Sequence, residues 1–599
     1  MRNINYKNAY KLIDKADIVS FDVFDTLITR MVSNPTQIFD IVQEEYNKKN
    51  KKRIYDFKKN RIYSEKNVNV SVPTLCDIYS EMIKYYEKDE CIKLEALEIE
   101  IEKKYCVANQ RVKNLYHYCV ENNKEIYITS DMYLNKEAIK SILEKNGYNK
   151  FKDIIVSCEY GTDKKSGNLF KNIEFAGEKK VLHIGDSLRA DLLGAKKNHF
   201  LTFRVNKKCF KNNSSNMGKI LECENSELFY KIGYSTIGPV LLSFINWLYC
   251  ELKNKKIKKV FFLAREGRIF KDVFDLLYGD TIDTKYLCIS RKAITISNYN
   301  NINIKNLNDI ITYFTIKKDS TVSDVYNYLE LNNCNGEHIS KTNIYDLTGD
   351  NDFFEKINSN IKEKSKLELG KSLKYFVQEN VEGRFAVVDI GWNGTMQKNL
   401  EIFLNNNEIV NNIYGYYFTL FKKIKNGYSF IEKGDKVYSA IYNNPILLEN
   451  IFQYVDGSTT GYYVENNIIK PKKKKIEFDD YSIEAINNID CGIIDFIKCW
   501  NEYGFFLDSK TVRKESLEGL NKFICKPTWN NVKAFEKFKY SDIKESYIIS
   551  NYNSIRKNLY YSGWKYGYLK KILKLNYNFD FIIKVLKEIS KWKIKKRKF

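Results

Sequence analysis

Short apolar runs that stop at polar residues alternate along this chain with longer stretches carrying an apolar side chain every third or fourth position. The first run, 17–21, passes from Val19 to Phe21 directly into Asp22. An apolar run of that length with polar ends suits a buried strand. Runs of the same kind occur at 125–129, 153–157, 180–184 and 200–205. A helix is expected between them from Asn135 to near Gly147, a C-cap residue, and another across 188–198. The alternation predicts a doubly wound parallel sheet of the α/β class over residues 1–207.

Between the first two strands, over about 31–122, the period is helical. Asn34-Pro35-Thr36 reads as a helix start, and Ile38, Ile41, Val42 and Tyr46 follow at helical spacing. Pro73 opens a second helix with Leu75, Ile78, Tyr79, Met82 and Ile83 on one face, and 90–106 reads as a third. Residues 208–225 are polar, with Asn212-Asn213-Ser214-Ser215-Asn216 at their centre, and read as a linker. Strands then return at Lys259–Ala264, Tyr286–Ile289, Phe385–Asp389 and Ile413–Thr419, predicting a second, Rossmann-like α/β domain over 226–460. From about 470 to 599 the pattern is helical, basic and aromatic, which predicts a helical C-terminal domain. The most apolar helix, Ile237 to Cys250, is short for a bilayer and contains Asn246, so a buried helix is expected.

Charge and cysteine usage narrow the setting. The 98 basic residues exceed the 75 acidic ones, giving a net charge of +23. The excess thickens at Lys472–Lys475 and between Lys593 and Lys598. Such runs form a solvated face or tail, or suit an anionic membrane surface or a phosphorylated substrate. No recognised nucleic-acid module accompanies them, which argues against nucleic acid as a partner. The 13 cysteines include no C-x-x-C pair and only four histidines accompany them, which excludes a zinc cluster of usual spacing. No apolar leader is visible at the N-terminus. The expected location is cytoplasmic, with the basic tail peripheral to the inner face of a membrane.

Candidate chemistry sits at the strand ends. Asp22 ends the first strand, and His183-Ile184-Gly185-Asp186-Ser187-Leu188-Arg189-Ala190-Asp191 ends a later one. Two acidic strand ends in one parallel sheet share the crevice beyond the strands. Oxygen-only ligands of this kind suit Mg²⁺. A Mg²⁺ beside a nucleophilic carboxylate is what phosphoryl transfer through an aspartyl-phosphate requires.

Four segments carry a resemblance: FDVFDTL from Phe21, Ile126-Tyr127-Ile128-Thr129-Ser130-Asp131, the lysine pair of Asp163-Lys164-Lys165-Ser166, and GDSLRAD from Gly185. In this order they make residues 1–207 resemble the haloacid dehalogenase (HAD) superfamily, and the helical insert is similar to that family's type 1 cap. The resemblance implies that Asp22 is the nucleophile. It implies Mg²⁺ held by Asp22, the backbone carbonyl of Phe24 and Asp186, with Asp191 as ligand or support. Ser130, with Thr129 as the alternative, would bond a phosphoryl oxygen. Lys164, with Lys165 as the alternative, would neutralise charge. Family phosphatases usually carry a second Asp two residues after the nucleophile as general acid–base, and here that residue is Phe24. Asp25 follows, but a shift of one residue aims its side chain elsewhere, and a structural role is expected for it.

The second α/β domain has polar strand ends of its own. They are Arg265-Glu266-Gly267, Arg291-Lys292, and Asp389 followed by Gly391, Asn393, Gly394 and Thr395. Strand, Gly-containing loop and helix start form a phosphate-binding arrangement, loosely similar to phosphoribosyltransferases. The AREG and DIGWNGTMQ segments also resemble those of long bacterial proteins associated with surface-polysaccharide assembly. The leading expectation is a Mg²⁺-dependent HAD-type hydrolase or phosphotransferase acting on a small phosphorylated metabolite of surface-glycan synthesis, beside glycan-assembly enzymes as partners. One alternative is a sugar-phosphate, nucleotide-sugar or phosphoribosyl transferase centred on 226–460. Another is a non-catalytic member of a glycan-assembly complex.

Overall fold

The computed structural model describes residues 6–32, 34–174, 179–205, 227–331, 337–432, 439–475, 478–503, 509–541, 545–575, 579 and 582–583. The expected linker 208–225 and the terminal basic run lie outside them. The chain divides into two compact units, residues 1–224 with 502–507, and residues 225–501 with 508–599.

In the first unit β1 (Ile18–Asp22) leads into the insert, which is four helices: Gln37–Lys49, Phe57–Asn67, Leu75–Met82 and Lys88–Tyr105. A small antiparallel ribbon, β2 (Ile28–Arg30) with β3 (Cys106–Ala108), ties its two ends together. The chain then runs through β4 (Glu125–Ser130), β5 (Asp153–Val156), β6 (Val181–Gly185) and β7 (Leu201–Arg204). These pair in the order β5-β4-β1-β6-β7, all parallel. Every residue of β1 and β6 is buried, as apolar runs flanked on both sides require. The register sets Asp22 beside Thr129, so the acidic end of β1 and the hydroxyl end of β4 emerge at one edge.

Two features differ from the sequence pattern. The helix expected across 188–198 is a π-turn, Leu188–Leu193, followed by one short turn at Gly194–Lys196. Gly194 lies against the chain near Lys164, where an added Cβ would sit 2.0 Å from the Lys164 carbonyl oxygen, so the turn is shaped by that close approach. The helix Phe57–Asn67 has no apolar stripe, and one of its buried residues is Arg61. Its guanidinium is fully enclosed: Nε and Nη2 each bond Glu98 at 2.9 Å, Nη1 bonds Glu65 at 2.9 Å, and Tyr79 Oη donates to Glu98 at 2.8 Å. The ion pair therefore does for this helix what an apolar face does for the others.

In the second unit β8 (Lys259–Leu263), β9 (Asp283–Leu287), β10 (Gly383–Trp392), β11 (Asn411–Leu420) and β12 (Gly427–Ile431) form another parallel sheet, ordered β12-β11-β10-β8-β9. Phe261, Leu287, Phe385, Val387, Leu400 and Phe403 belong to its core. The strand expected at 286–289 ends at Leu287, because Ser290 is already the N-cap of the helix Arg291–Ser297, its Oγ accepting from Ala293 N at 3.1 Å. An antiparallel hairpin, β13 (Thr459–Glu465) and β14 (Ile468–Lys473), occupies the start of the expected C-terminal helical region. Helices Asp480–Tyr503, Ser509–Cys525, Trp529–Lys537, Ile555–Tyr561 and Lys565–Leu573 follow, with one short ribbon of β15 (Lys539–Ser541) and β16 (Glu545–Tyr547). The apolar helix Gly238–Asn254 is buried as expected, and Ser243 Oγ meets Ser516 Oγ at 3.0 Å. It continues a helical run from Leu228 that is long and apolar enough to cross a membrane by length and composition, with 67% of its most apolar window inside the protein. Burial rather than shortness thus distinguishes it.

Arg61→Met removes one partner of a fully buried pair and leaves Glu98 uncompensated. It should cost about 3–5 kcal/mol, read as a lowered urea midpoint for the full chain. A midpoint equal to wild type would show that the pair contributes nothing to the helical insert.

Candidate active site

Asp22 stands at the C-terminal end of β1, and Lys164 reaches it from the loop after β5. Lys164 Nζ donates to Asp22 Oδ1 at 2.6 Å and to Asp191 Oδ1 at 2.5 Å. All three side chains are at least nine-tenths buried. The lysine is aimed by its own backbone, whose N–H donates to Asp131 Oδ1 at 2.9 Å. Burial works against its charge, yet Asp22, Asp191 and Asp131 together raise its pKa well above the usual lysine value. Lys165, the sequence alternative, is exposed.

Asp191 is held from three sides. Besides Lys164, Ser187 N–H donates to Oδ2 at 2.7 Å and His183 Nε2 lies 3.3 Å from Oδ1. Against the effect of burial, Lys164 and His183 keep this carboxyl well below the usual range. Gly185 is required here, since a Cβ on it would fall 2.4 Å from Asp191 Cγ. Asp22 has less support. Burial pushes it up to about 7, against the pull of Lys164 and with the repulsion of Asp191.

Carboxylate oxygens of Asp22, Asp186 and Asp191 all lie within 4.8 Å of one another. Oxygen-only donors at this spacing fit Mg²⁺, and a divalent cation there would relieve the burial that raises Asp22. Both Asp191 oxygens already accept hydrogen bonds, as does Asp22 Oδ1, so each of the three could contribute an oxygen to such a cation. Ser130 Oγ, at the end of β4, is buried with no hydrogen-bond partner among the described residues. The neighbouring Thr129 hydroxyl is engaged with Ser20 Oγ at 3.1 Å, which leaves Ser130 as the hydroxyl open to a ligand.

Phe24, at the place of the missing acid, is half-buried, and the Arg30 guanidinium lies 4.0 Å from its ring centroid. Arg30 Nε is in turn bonded to both Glu102 oxygens, at 2.8 and 3.1 Å. Asp25 adopts a left-handed φ of 60°. The sequence pattern did not single out Arg30, Glu102 or His183. A histidine within an otherwise aliphatic strand was the available signal for the last. His183 Nδ1 lies 3.0 Å from Ser20 Oγ. Burial keeps the imidazole below its usual pKa, and its two nitrogens bridge Ser20 and Asp191.

The second group of candidate residues lies at the C-terminal ends of β8, β9 and β10. Gly267 and Gly394 open helices, Gly394 with a φ of 63°. Glu266 is buried and accepts from Arg265 N–H at 3.2 Å. Asn393 and Thr395 are exposed. Lys292 is taken up by Glu330 at 2.7 Å, so the cationic groups left open in this region are Arg265 and Arg291.

Solved structures similar to this chain are HAD-type hydrolases. YfnB of Bacillus subtilis, described as a HAD-hydrolase bound to magnesium, is 18% identical, with 33% of this chain and 91% of that one covered and a TM-score of 0.25. A haloacid dehalogenase-like family hydrolase from Xanthomonas campestris is 13% identical over 34% of this chain and 89% of its own, with a TM-score of 0.24. A HAD-superfamily hydrolase from Ehrlichia chaffeensis is 22% identical over 32% and 91%, with a TM-score of 0.19. No family model and no curated protein matches the sequence.

The carboxylate geometry predicts Mg²⁺ binding that depends on Asp186. Calorimetric titration of the full chain should show Asp186→Asn weakening Mg²⁺ by at least ~10-fold, the scale on which the loss of a metal's neighbouring groups is felt. Equal affinity in the variant would remove Asp186 from the ligand set.

Proposed function

We propose that the first unit is a Mg²⁺-dependent phosphohydrolase or phosphotransferase working through an aspartyl-phosphate on Asp22. The observation that carries this reading is the buried Lys164 ammonium bridging Asp22 and Asp191, with Asp186 beside them. Mg²⁺ held by Asp22 and Asp186 would neutralise charge on the phosphoryl group. An Asp22 oxygen attacks phosphorus, and the bond to the leaving oxygen breaks. Lys164 neutralises charge on Asp22 and the transferring group, and Ser130 Oγ–H donates to a phosphoryl oxygen. Water or an acceptor hydroxyl then takes the phosphoryl group from Asp22.

The residue two positions after the nucleophile sets the substrate. Phe24 has no proton to give, and the ring is covered by Arg30. Departure of a basic alkoxide is therefore unassisted from this position, and substrates with weakly basic leaving groups are favoured. The resemblance of the AREG and DIGWNGTMQ segments to surface-glycan proteins supports a phosphorylated sugar metabolite as the natural substrate.

Two outcomes are expected. Asp22→Asn, which keeps the shape but not the nucleophile, abolishes Mg²⁺-dependent phosphate release while its melting temperature stays at or above that of wild type. Retained turnover would exclude Asp22. Wild type hydrolyses aryl phosphates faster than alkyl phosphates, by roughly the 10²–10⁴ that a positioned acid contributes. Phe24→Asp places a carboxylate against the Arg30 guanidinium, which holds it ionised, so the alkyl rate rises by less than ~10-fold of that range. Fast alkyl turnover by wild type would mean that another group already supplies the proton.

A further inference from the structure

The second sheet reverses its winding between β10 and β8: β11 and β12 extend outward from β10, and β9 extends outward from β8. A parallel sheet opens a crevice at such a point, beyond the carboxyl ends of its strands. Arg265 and Glu266 come to this edge from β8, and Asp389 and Trp392 come from β10. Arg291 begins the helix after β9 and lies close enough to act on the Asp389 charge. Glu449 closes the group, accepting from Trp392 Nε1 at 2.6 Å.

The charges here are not closed on one another. Arg265 and Arg291 make no side-chain hydrogen bond or ion pair among the described residues. Other arginines of this unit are engaged: Arg268 with Asp272, Arg384 with the Lys255 carbonyl and Arg513 with the Phe430 carbonyl. Among the described residues Asp389 accepts only the Ile390 N–H, at 2.8 Å, and Glu266 only the Arg265 N–H. Burial, then the repulsion of Glu266 and Glu449, pushes Asp389 up to about 7, so near neutral pH it both donates and accepts. Beside these groups Trp392 holds a left-handed φ of 72°, with its ring 5.2 Å from that of Phe421. Gly391 precedes it at a φ of 113°, where a Cβ would meet the Thr419 carbonyl oxygen at 2.1 Å. A bulky residue in that conformation is uncommon, and this one sits at a crevice rather than in a turn.

Two open guanidiniums match an anion, which arginine binds in a bidentate fashion. Two carboxyl groups with free acceptor capacity match hydroxyls, and an indole ring matches the apolar face of a pyranose. We propose that this crevice binds a sugar carrying a phosphate, with the phosphate on Arg265 and Arg291, the hydroxyls on Asp389 and Glu266, and the ring against Trp392. A sugar monophosphate and a nucleotide sugar share this chemistry. The site is separate from Asp22 and does not depend on the reaction proposed there.

The test is calorimetric titration of the full chain carrying Asp22→Asn, so that no ligand is consumed at the first site. The probes are glucose 1-phosphate, glucose 6-phosphate and UDP-glucose, with inorganic phosphate and glucose as references. At least one phosphorylated sugar should bind ~10-fold or more tightly than inorganic phosphate, and Arg265→Ala and Arg291→Ala should each weaken it by a similar ~10-fold, the loss of a charge-assisted contact. Asp389→Asn should weaken the sugar phosphates and leave inorganic phosphate unchanged. The stronger of glucose 1-phosphate and UDP-glucose identifies the source. Should Arg265→Ala fail to fold, the exposed Arg291 supplies the deciding variant. No phosphorylated sugar binding more tightly than inorganic phosphate, or folded arginine variants binding as wild type does, would overturn the proposal.

Discussion

Lys164 places one ammonium between two carboxylates that the first sheet would otherwise bring together unpaired. Desolvating a charge costs several kcal/mol, on the order of what one well-made buried contact returns. Lys164 favours the ionised form of both Asp22 and Asp191 against that cost. The surrounding structure serves this contact. The Lys164 N–H is fixed by Asp131, Gly194 lets the π-turn close on the lysine loop, and Gly185 makes room for Asp191. One ammonium faces two carboxylates and the nearby Asp186, so the site keeps an excess of negative charge. Oxygen-only donors with that balance fit a divalent cation.

A second buried set of charges governs the helical insert. Arg61 and Glu98 enclose each other, and Arg30 joins Glu102 while covering Phe24. A helix held by an internal ion pair is fixed in register more strictly than one held by apolar contact, because geometry as well as burial must be kept. The same Arg30 links the insert to the loop that follows Asp22. Phe24 therefore has a structural role as well as an aromatic side chain that carries no acid. It gives the insert a cation–π contact two residues from Asp22.

The strand ends were legible in the sequence because chemistry there depends on local order: an apolar run, then an acid, then glycine. Asp22, Asp186 and Asp191 could be named from that pattern, and Ser130 and Lys164 from the resemblance their segments carry; the structure brings all but Ser130 into one carboxylate–lysine group, with the Ser130 hydroxyl, unpartnered among the described residues, at the end of the neighbouring strand. What was not legible depended on distant partners. The helix around Arg61 has no apolar stripe because Glu98, 37 residues away, supplies its burial. The ribbon of β2 and β3 is two three-residue strands whose paired residues lie 76 to 80 positions apart, too short to leave a periodic trace. His183 reads as one polar residue in an aliphatic strand until Ser20 and Asp191 are placed on either side of it. The π-turn follows from a contact with the Lys164 carbonyl, which no local pattern encodes.

The two units place their chemistry by the same rule and differ in how the charges are balanced. Both are parallel sheets whose order reverses beside a central strand, and both carry acids at the ends flanking that reversal. In the first, the protein supplies its own counter-charge. Lys164 is locked between carboxylates, and Asp191 also accepts from Ser187 N–H and meets His183, which Ser20 holds from its other nitrogen. Such a site is organised in advance, as electrostatic catalysis requires, since no group has to move when charge develops. In the second, Arg291 acts on Asp389 without pairing with it, and Glu266 is buried against a backbone amide instead of the adjacent guanidinium. Opposite charges held apart in a partly desolvated crevice are a poor ground state by themselves. They are a good one for a ligand that brings an anion and hydroxyls together, because binding then completes both sets at once. The first crevice holds its charges paired, and the second holds them apart.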